Sequence, residues 1–78
     1  MNKVDYVLKV IGKVCPYAHI EAETELIDSG ILTSLDLFDL IAELEAELDI
    51  RISEDLIAAE NFSTAATIAN TVLRGVEP

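Results

Sequence analysis

The sequence predicts a small all-α bundle, and three observations predict it. Apolar residues recur at helical spacing in separate runs, capping residues stand at the heads of those runs, and Pro16 and Gly75 punctuate their ends. No stretch keeps the strict alternation of a half-buried strand, and there is no internal repeat or low-complexity tract. The expected architecture is four helices, of which three are longer and the third is short, with a long loop between the first and second. Residues 1–78 form a single domain, because a chain of 78 residues leaves no room for another.

The first run places Val4, Val7, Leu8, Ile11, Val14 and Cys15 on one face, and Pro16 stops it. Asp5 and Lys9 make a favourable pair one turn apart. Gly12 inside the run costs about 1 kcal/mol relative to alanine, so either packing is tight there or the helix is marginal. Residues 16–32 show no long period, and a connection of this length usually has a job. Ile20, Leu26, Ile27, Ile31 and Leu32 can pin it to the bundle, and Asp28-Ser29-Gly30 reads as a turn.

The second run is the clearest and extends from Ser34 to about Asp49. Thr33 is the N-cap candidate, with Asp36 three residues on in a near-match to a capping box, which places Ser34 on the first turn. Leu37, Leu40, Ile41, Leu44 and Leu48 fall on the inward arc. Leu35, Ala42 and Ala46 fall opposite, with Phe38 toward one edge. Asp36, Asp39, Glu43 and Glu47 border this strip on one side, Glu45 and Asp49 on the other. Periodicity alone leaves two readings open: a solvated face with incidental apolar residues, or a docking surface with an apolar centre and a charged rim.

Ile50-Arg51-Ile52 is a short extended link. Ser53 is placed to cap a brief third helix, Glu54 to about Ala59, with Leu56 and Ile57 facing inward. Asn61-Phe62 breaks the pattern, Ser63 is placed to cap the last helix, and Ala65, Ile68, Ala69 and Val72 share its inner face.

Composition narrows the function. Fifteen acids against five bases give a net charge of −10, which excludes nucleic acid as a partner because phosphate binding needs cations. The same charge disfavours anionic membrane surfaces and steers basic protein surfaces toward the chain. No apolar run approaches the roughly 20 residues of a membrane span, so no membrane insertion is expected. The first residues also lack a signal peptide's apolar stretch, and a cytoplasmic monomer is the expectation.

Reactive chemistry is sparse. One cysteine forms no internal disulfide, and Cys15 with His19 is too thin a ligand set for structural zinc. No segment fits a calcium loop, so no metal site is expected. Nucleophilic catalysis by Ser34 would need His19, the only histidine, and a bundle this small offers little pocket for a substrate. No catalytic residue is expected. A serine on a helix tip without such apparatus is more naturally a site that is modified than one that acts.

The segment Asp28-Ser29-Gly30-Ile31-Leu32-Thr33-Ser34-Leu35-Asp36 resembles the prosthetic-group attachment signature of the acyl carrier protein family. Leu40 to Ile52 is similar to that family's second helix and the link after it, and Glu60 to Thr64 with Ile68-Ala69 resembles the last helix of D-alanyl and peptidyl-carrier-like members. The resemblance implies a non-catalytic four-helix carrier whose Ser34 receives 4′-phosphopantetheine from coenzyme A through a phosphopantetheinyl transferase. The arm then holds an acyl or aminoacyl group as a thioester, loaded by an adenylating ligase or acyltransferase with a basic docking surface. Carried over by position, Leu35, Phe38, Asp39 and Ala42 are the partner-binding residues, with Asp36, Glu43, Glu45 and Ala46 beside them. Thr33 departs from the pattern: the family most often has Asp immediately before the attachment serine. The rival reading is an unmodified acidic interaction module that binds a basic partner through the second helix.

Overall fold

The computed structural model describes residues 2–76, and among them every regular element is helical. Helix α1 spans Lys3–Val14. Asn2 caps it by accepting the Asp5 N–H at 2.8 Å, and Asp5 and Lys13 sit at the ends that suit their charges. Val7, Val10 and Ile11 are buried on its inner face. Gly12 lies on the exposed side, where an added methyl group would meet nothing within 4 Å. Tight packing therefore does not explain this glycine, and α1 carries its helix-weakening effect uncompensated. Cys15 closes the helix with its N–H on the Ile11 carbonyl at 2.7 Å, and Pro16 prevents continuation.

The connection from Cys15 to Thr33 is irregular yet anchored. Leu26 and Leu32 are buried, and the Leu32 N–H donates to the Leu26 carbonyl at 2.8 Å, closing the turn that contains Gly30 at φ +84°. Two further backbone bonds tie the loop to the far end of the chain. The Leu26 N–H donates to Ser63 O at 2.8 Å, and the Ala66 N–H donates to Ala22 O at 3.0 Å. These bonds satisfy backbone groups that a buried loop would otherwise leave unpaired. They also set where the chain enters the next helix.

Helix α2 spans Ser34–Leu48, the run expected from its periodicity. Leu40, Ile41 and Leu44 are buried, and Leu37 and Leu48 pack half-buried against the core. Asp49 ends the helix in the left-handed region (φ 54°, ψ 48°), with its N–H on the Glu45 carbonyl.

The third helix expected over Glu54 to about Ala59 takes another form. Two 3-10 turns, Glu54–Leu56 and Ala59–Phe62, stand in its place. Ser53 does cap the first, accepting the Asp55 N–H at 3.4 Å, but Ile57 leaves helical geometry (φ −85°, ψ 79°). The run is too short to nucleate an α-helix against the demand that Phe62 enter the core, where it is fully buried. The last helix is capped by Thr64, one residue later than expected. Thr64 Oγ1 accepts the Thr67 N–H at 3.0 Å, while Ser63 turns its hydroxyl to Glu60 O. Helix α3 covers Ala65–Thr67 and widens into a π-helical stretch over Ile68–Val72. The expected inner face of Ala65, Ile68, Ala69 and Val72 is buried. The all-α bundle is thus borne out, with its third member reduced to 3-10 turns. Among the described residues no helix is long and apolar enough to cross a membrane.

Candidate functional site

Ser34 owes its position to the start of α2. Thr33 is extended (φ −87°, ψ 177°), and its Oγ1 accepts the Asp36 N–H at 3.3 Å. Asp36 Oδ2 accepts the Thr33 N–H in return at 3.2 Å, which completes the capping box anticipated from their spacing. This exchange satisfies the Asp36 amide but leaves those of Ser34 and Leu35 without an intrahelical carbonyl to face. Ser34 itself is exposed. Its hydroxyl is thus borne on the first helical turn, at the positive end of the dipole, where an anion is favoured.

An open, largely apolar groove of about 410 Å³ begins at this serine. Thr33 and Ser34 line it together with Ile27, Leu32 and Leu37 and with Ala59 of the second 3-10 turn. Ser34 is thereby brought against residues from three parts of the chain. Sequence reasoning placed Ile27 and Leu32 on the bundle but did not foresee Ala59 beside Ser34, because that proximity depends on the 3-10 geometry. An exposed hydroxyl with open space and an apolar wall beside it suits the attachment of a flexible arm. Among the described residues nothing covers it that such an arm would have to displace.

The outer face of α2 matches its helical-wheel assignment. Leu35 is 77% exposed and Phe38 65%, and Asp39, Ala42 and Ala46 are exposed with them. Asp36 and Glu43 lie half-buried at one margin. Glu45 lies half-buried at the other, where one of its carboxylate oxygens accepts the Ile52 N–H at 2.8 Å. The other oxygen of this carboxylate has no hydrogen-bond partner among the described residues. Glu47, further along the first margin, is engaged by α1: Lys13 Nζ pairs with one carboxylate oxygen, and the Tyr6 hydroxyl donates to the other at 3.4 Å. The Lys13 hydrogen bond holds the Glu47 carboxyl below its ordinary value, and the charge of Lys13 adds to this. The unpaired acidic charge of that margin therefore concentrates on Asp36, Asp39 and Glu43, toward the Ser34 end.

The catalytic alternative finds no geometric support. His19 is solvent-exposed and its Nε2 lies 3.4 Å from Glu21. No hydrogen bond joins it to Ser34 among the described residues. Cys15 is fully buried and behaves as a small core residue, its sulfur 3.7 Å from Ile31 O. No cluster of three or more His, Cys, Asp or Glu side chains is arranged to hold a metal among the described residues. One exposed aromatic went unnoticed in the sequence. Tyr17 is 75% exposed, with its hydroxyl 3.7 Å from the Cys15 sulfur. An isolated tyrosine in an aperiodic loop gives no pattern to read.

Comparison with known proteins agrees with this geometry. Residues 5–72 match the family described as the phosphopantetheine attachment site. Aminoacyl carrier protein 1 of Bradyrhizobium diazoefficiens is 34% identical over 61 residues, 78% of this chain and 67% of that protein. Among solved structures, the fold matches a chain in the crystal structure of the Bradyrhizobium japonicum glycine:[carrier protein] ligase complexed with its cognate carrier protein and an analogue of glycyl adenylate. The TM-score is 0.77 at 30% identity, covering 91% of this chain and 95% of that one. A second crystal structure, of the same ligase complexed with glycylated carrier protein, gives a TM-score of 0.76 at 30% identity, covering 87% of this chain and 95% of that one. The exposed serine on a helix tip, the groove beside it and the match over residues 5–72 lead to one assignment: the chain belongs to the phosphopantetheine attachment-site family, whose members are carriers bearing a covalent 4′-phosphopantetheine arm.

Proposed function

We propose that Ser34 is the residue that receives the arm, and that the loaded chain carries an aminoacyl group supplied by a separate ligase. The observation that carries this reading is the placement of Ser34: exposed, first in α2, and lining an apolar groove. An anion attached there gains about 0.3–1 kcal/mol from the helix dipole and the free first-turn amides. When bound, the arm supplies a terminal thiol on which the cargo is held as a thioester.

The chain's own residues have simpler tasks. Ser34 offers its hydroxyl to a phosphopantetheinyl transferase. Ile27, Leu32, Leu37 and Ala59 give the arm an apolar wall to rest against. Leu35, Phe38 and Ala42 form the centre of the docking surface, Ala46 extends it, and Asp36, Asp39, Glu43 and the free half of Glu45 provide its acidic border. Such a surface fits a partner with a basic rim and an apolar socket, at which the rim steers and the socket binds. The chain is then a substrate of its partners, with no chemistry of its own. A cytoplasmic place, where coenzyme A is at hand, accords with this role.

An aminoacyl cargo is favoured over a long acyl chain by the relatives, one an aminoacyl carrier protein and the others seen with a glycine:[carrier protein] ligase. An amino acid:carrier protein ligase is accordingly the proposed loading partner. The test is to incubate the purified chain with coenzyme A, magnesium and a broad-specificity phosphopantetheinyl transferase, then record a mass spectrum. A single phosphopantetheine adduct, absent from Ser34→Ala, is expected. No adduct, or one that persists in Ser34→Ala, overturns the assignment.

A further inference from the structure

Glu45 is bonded to the segment that follows α2. Its carboxylate accepts the Ile52 N–H at 2.8 Å, and its backbone carbonyl accepts the Ile50 N–H at 3.1 Å. Among the described residues no other hydrogen bond joins α2 to residues 50–62. That segment is otherwise bonded to itself. The Leu56 N–H donates to Ser53 O at 2.9 Å, the Asn61 N–H to Ala58 O at 2.9 Å, and the Asn61 side-chain amide to Leu56 O at 3.0 Å. Its second 3-10 turn packs against the last helix. Ile52 and Phe62 anchor it in the core, and Ala59, between them, lines the same groove as Ser34 and Leu37.

We propose that Glu45 is a positioning residue for the arm: by accepting the Ile52 N–H it keeps residues 50–62 drawn to α2, and so holds Ala59 in the lining of the groove. The place of Leu37 is set by α2 itself, whereas the place of Ala59 relative to α2 depends on how its segment is tied to that helix. Burial of Ile52 and Phe62 keeps the segment on the bundle without fixing its distance from α2, because apolar packing is non-directional. A hydrogen bond of set length and angle does fix it, and an ionised acceptor makes that bond stronger than a neutral one. Glu45 thus has a task within the chain besides the acidic border it shares with Asp39 and Glu43.

This inference rests on Ser34 carrying the arm, and the experiment separates the two. The isotopically labelled chain is converted to its arm-bearing form with unlabelled coenzyme A, magnesium and the same broad-specificity transferase, and complete attachment is checked by mass. Isotope-filtered nuclear Overhauser contacts then report which methyl groups of the chain the arm touches. In the wild-type chain the arm is expected to touch the methyl groups of both Leu37 and Ala59. Glu45→Gln keeps an oxygen that accepts the Ile52 N–H and removes the charge, so both contacts should remain. Glu45→Asp keeps the charge but is one methylene too short, so the Ala59 contact should be lost and the Leu37 contact kept. Glu45→Ala removes the acceptor with a better helix former and should match the aspartate variant. A role resting on charge alone reverses the order of the glutamine and aspartate variants. Retention of the Ala59 contact in both Glu45→Asp and Glu45→Ala, or its loss in Glu45→Gln, therefore overturns the proposal. A wild-type chain that bears the arm without touching Ala59 overturns it too, while leaving Ser34 as the attachment residue. No adduct on the wild-type chain removes the attachment assignment and this inference together.

Discussion

The carboxylate of Glu45, on α2, accepts the backbone N–H of Ile52 at 2.8 Å, seven residues further along the chain. The same residue's backbone carbonyl receives the N–H of Ile50 at 3.1 Å. One glutamate thus folds the segment after α2 back against the helix and lets Ile52 enter the core, where it is 5% exposed. That segment leads into the 3-10 turns, and Ala59 of the second turn forms one side of the groove at Ser34. Replacing Glu45 with alanine is expected to cost about 1–2 kcal/mol, as for loss of a half-exposed hydrogen bond to a charged group. Urea denaturation reads the loss, and amide exchange at Ile52 should quicken ahead of that at Leu44. Unchanged exchange at Ile52 would show that the segment is held by its side chains alone.

The two faces of α2 should respond oppositely to truncation. Leu44 is fully buried, so Leu44→Ala is expected to destabilise by about 2–5 kcal/mol, a large part of the stability of so small a domain. Phe38 is 65% exposed, and Phe38→Ala should stay within about 0.5 kcal/mol of wild type. Phe38→Asp should preserve helicity and still weaken phosphopantetheinylation, because it places a charge at the centre of the proposed docking surface. Circular dichroism with thermal melts distinguishes these outcomes. A Phe38→Asp chain that unfolds would place Phe38 in the core.

The parts of this fold that are legible in the sequence are those set by local rules. The 3.6-residue period of Leu37, Leu40, Ile41, Leu44 and Leu48 separates the buried and exposed sides of α2 without further information. The capping box is legible because both partners lie within one turn. The resemblance around Ser34 supplies the chemical reading that periodicity cannot. What is not legible depends on contacts distant in the chain. The 3-10 form of Glu54–Leu56 and Ala59–Phe62 follows from fitting Phe62 into the core, and Phe62 alone looks like a break in a pattern. The shift of the last cap from Ser63 to Thr64 follows from Ser63 O and the Ala66 N–H being used by the long loop, at Leu26 and Ala22. Glu45 reads on a helical wheel as one more solvent-facing acid, although part of its carboxylate is committed within the chain.

The ion pair between α1 and α2 sets a pH dependence whose direction follows from its shifts. Glu47 is held below its ordinary value in the fold by the Lys13 hydrogen bond, so its contribution is complete above the ordinary carboxylate range. It is lost as pH falls through the lowered folded value. Lys13 is raised, chiefly by the same hydrogen bond, so its contribution is complete below the ordinary ammonium range and is lost as pH rises through the raised folded value. Both are fully present at neutral pH. Glu47→Gln should therefore lower Tm at pH 7 and leave it nearly unchanged in strong acid, with Lys13→Met behaving alike. Because the pair is open to solvent, 1 M salt should shrink the difference. Parallel Tm–pH curves for wild type and Glu47→Gln would show that the pair does not couple the helices.

Thr33 separates the needs of the fold from those of its partners. As N-cap it must present a side-chain oxygen to the Asp36 N–H, 3.3 Å away, and an aspartate at this position meets that need as well. Thr33→Ala is expected to cost about 1 kcal/mol, the usual loss for an emptied N-cap, whereas Thr33→Asp should retain wild-type stability and gain slightly from the helix dipole. Modification should follow another order. On the proposed function, an aspartate next to Ser34 adds a negative charge facing a transferase with a basic rim, so Thr33→Asp should raise kcat/KM for phosphopantetheinylation and make the rate fall more steeply with salt. Thr33→Ala, assayed at a temperature where it remains folded, should match wild type in rate, because threonine contributes no charge there. Equal salt dependence in all three chains would place residue 33 outside the transferase contact and confine its role to capping α2.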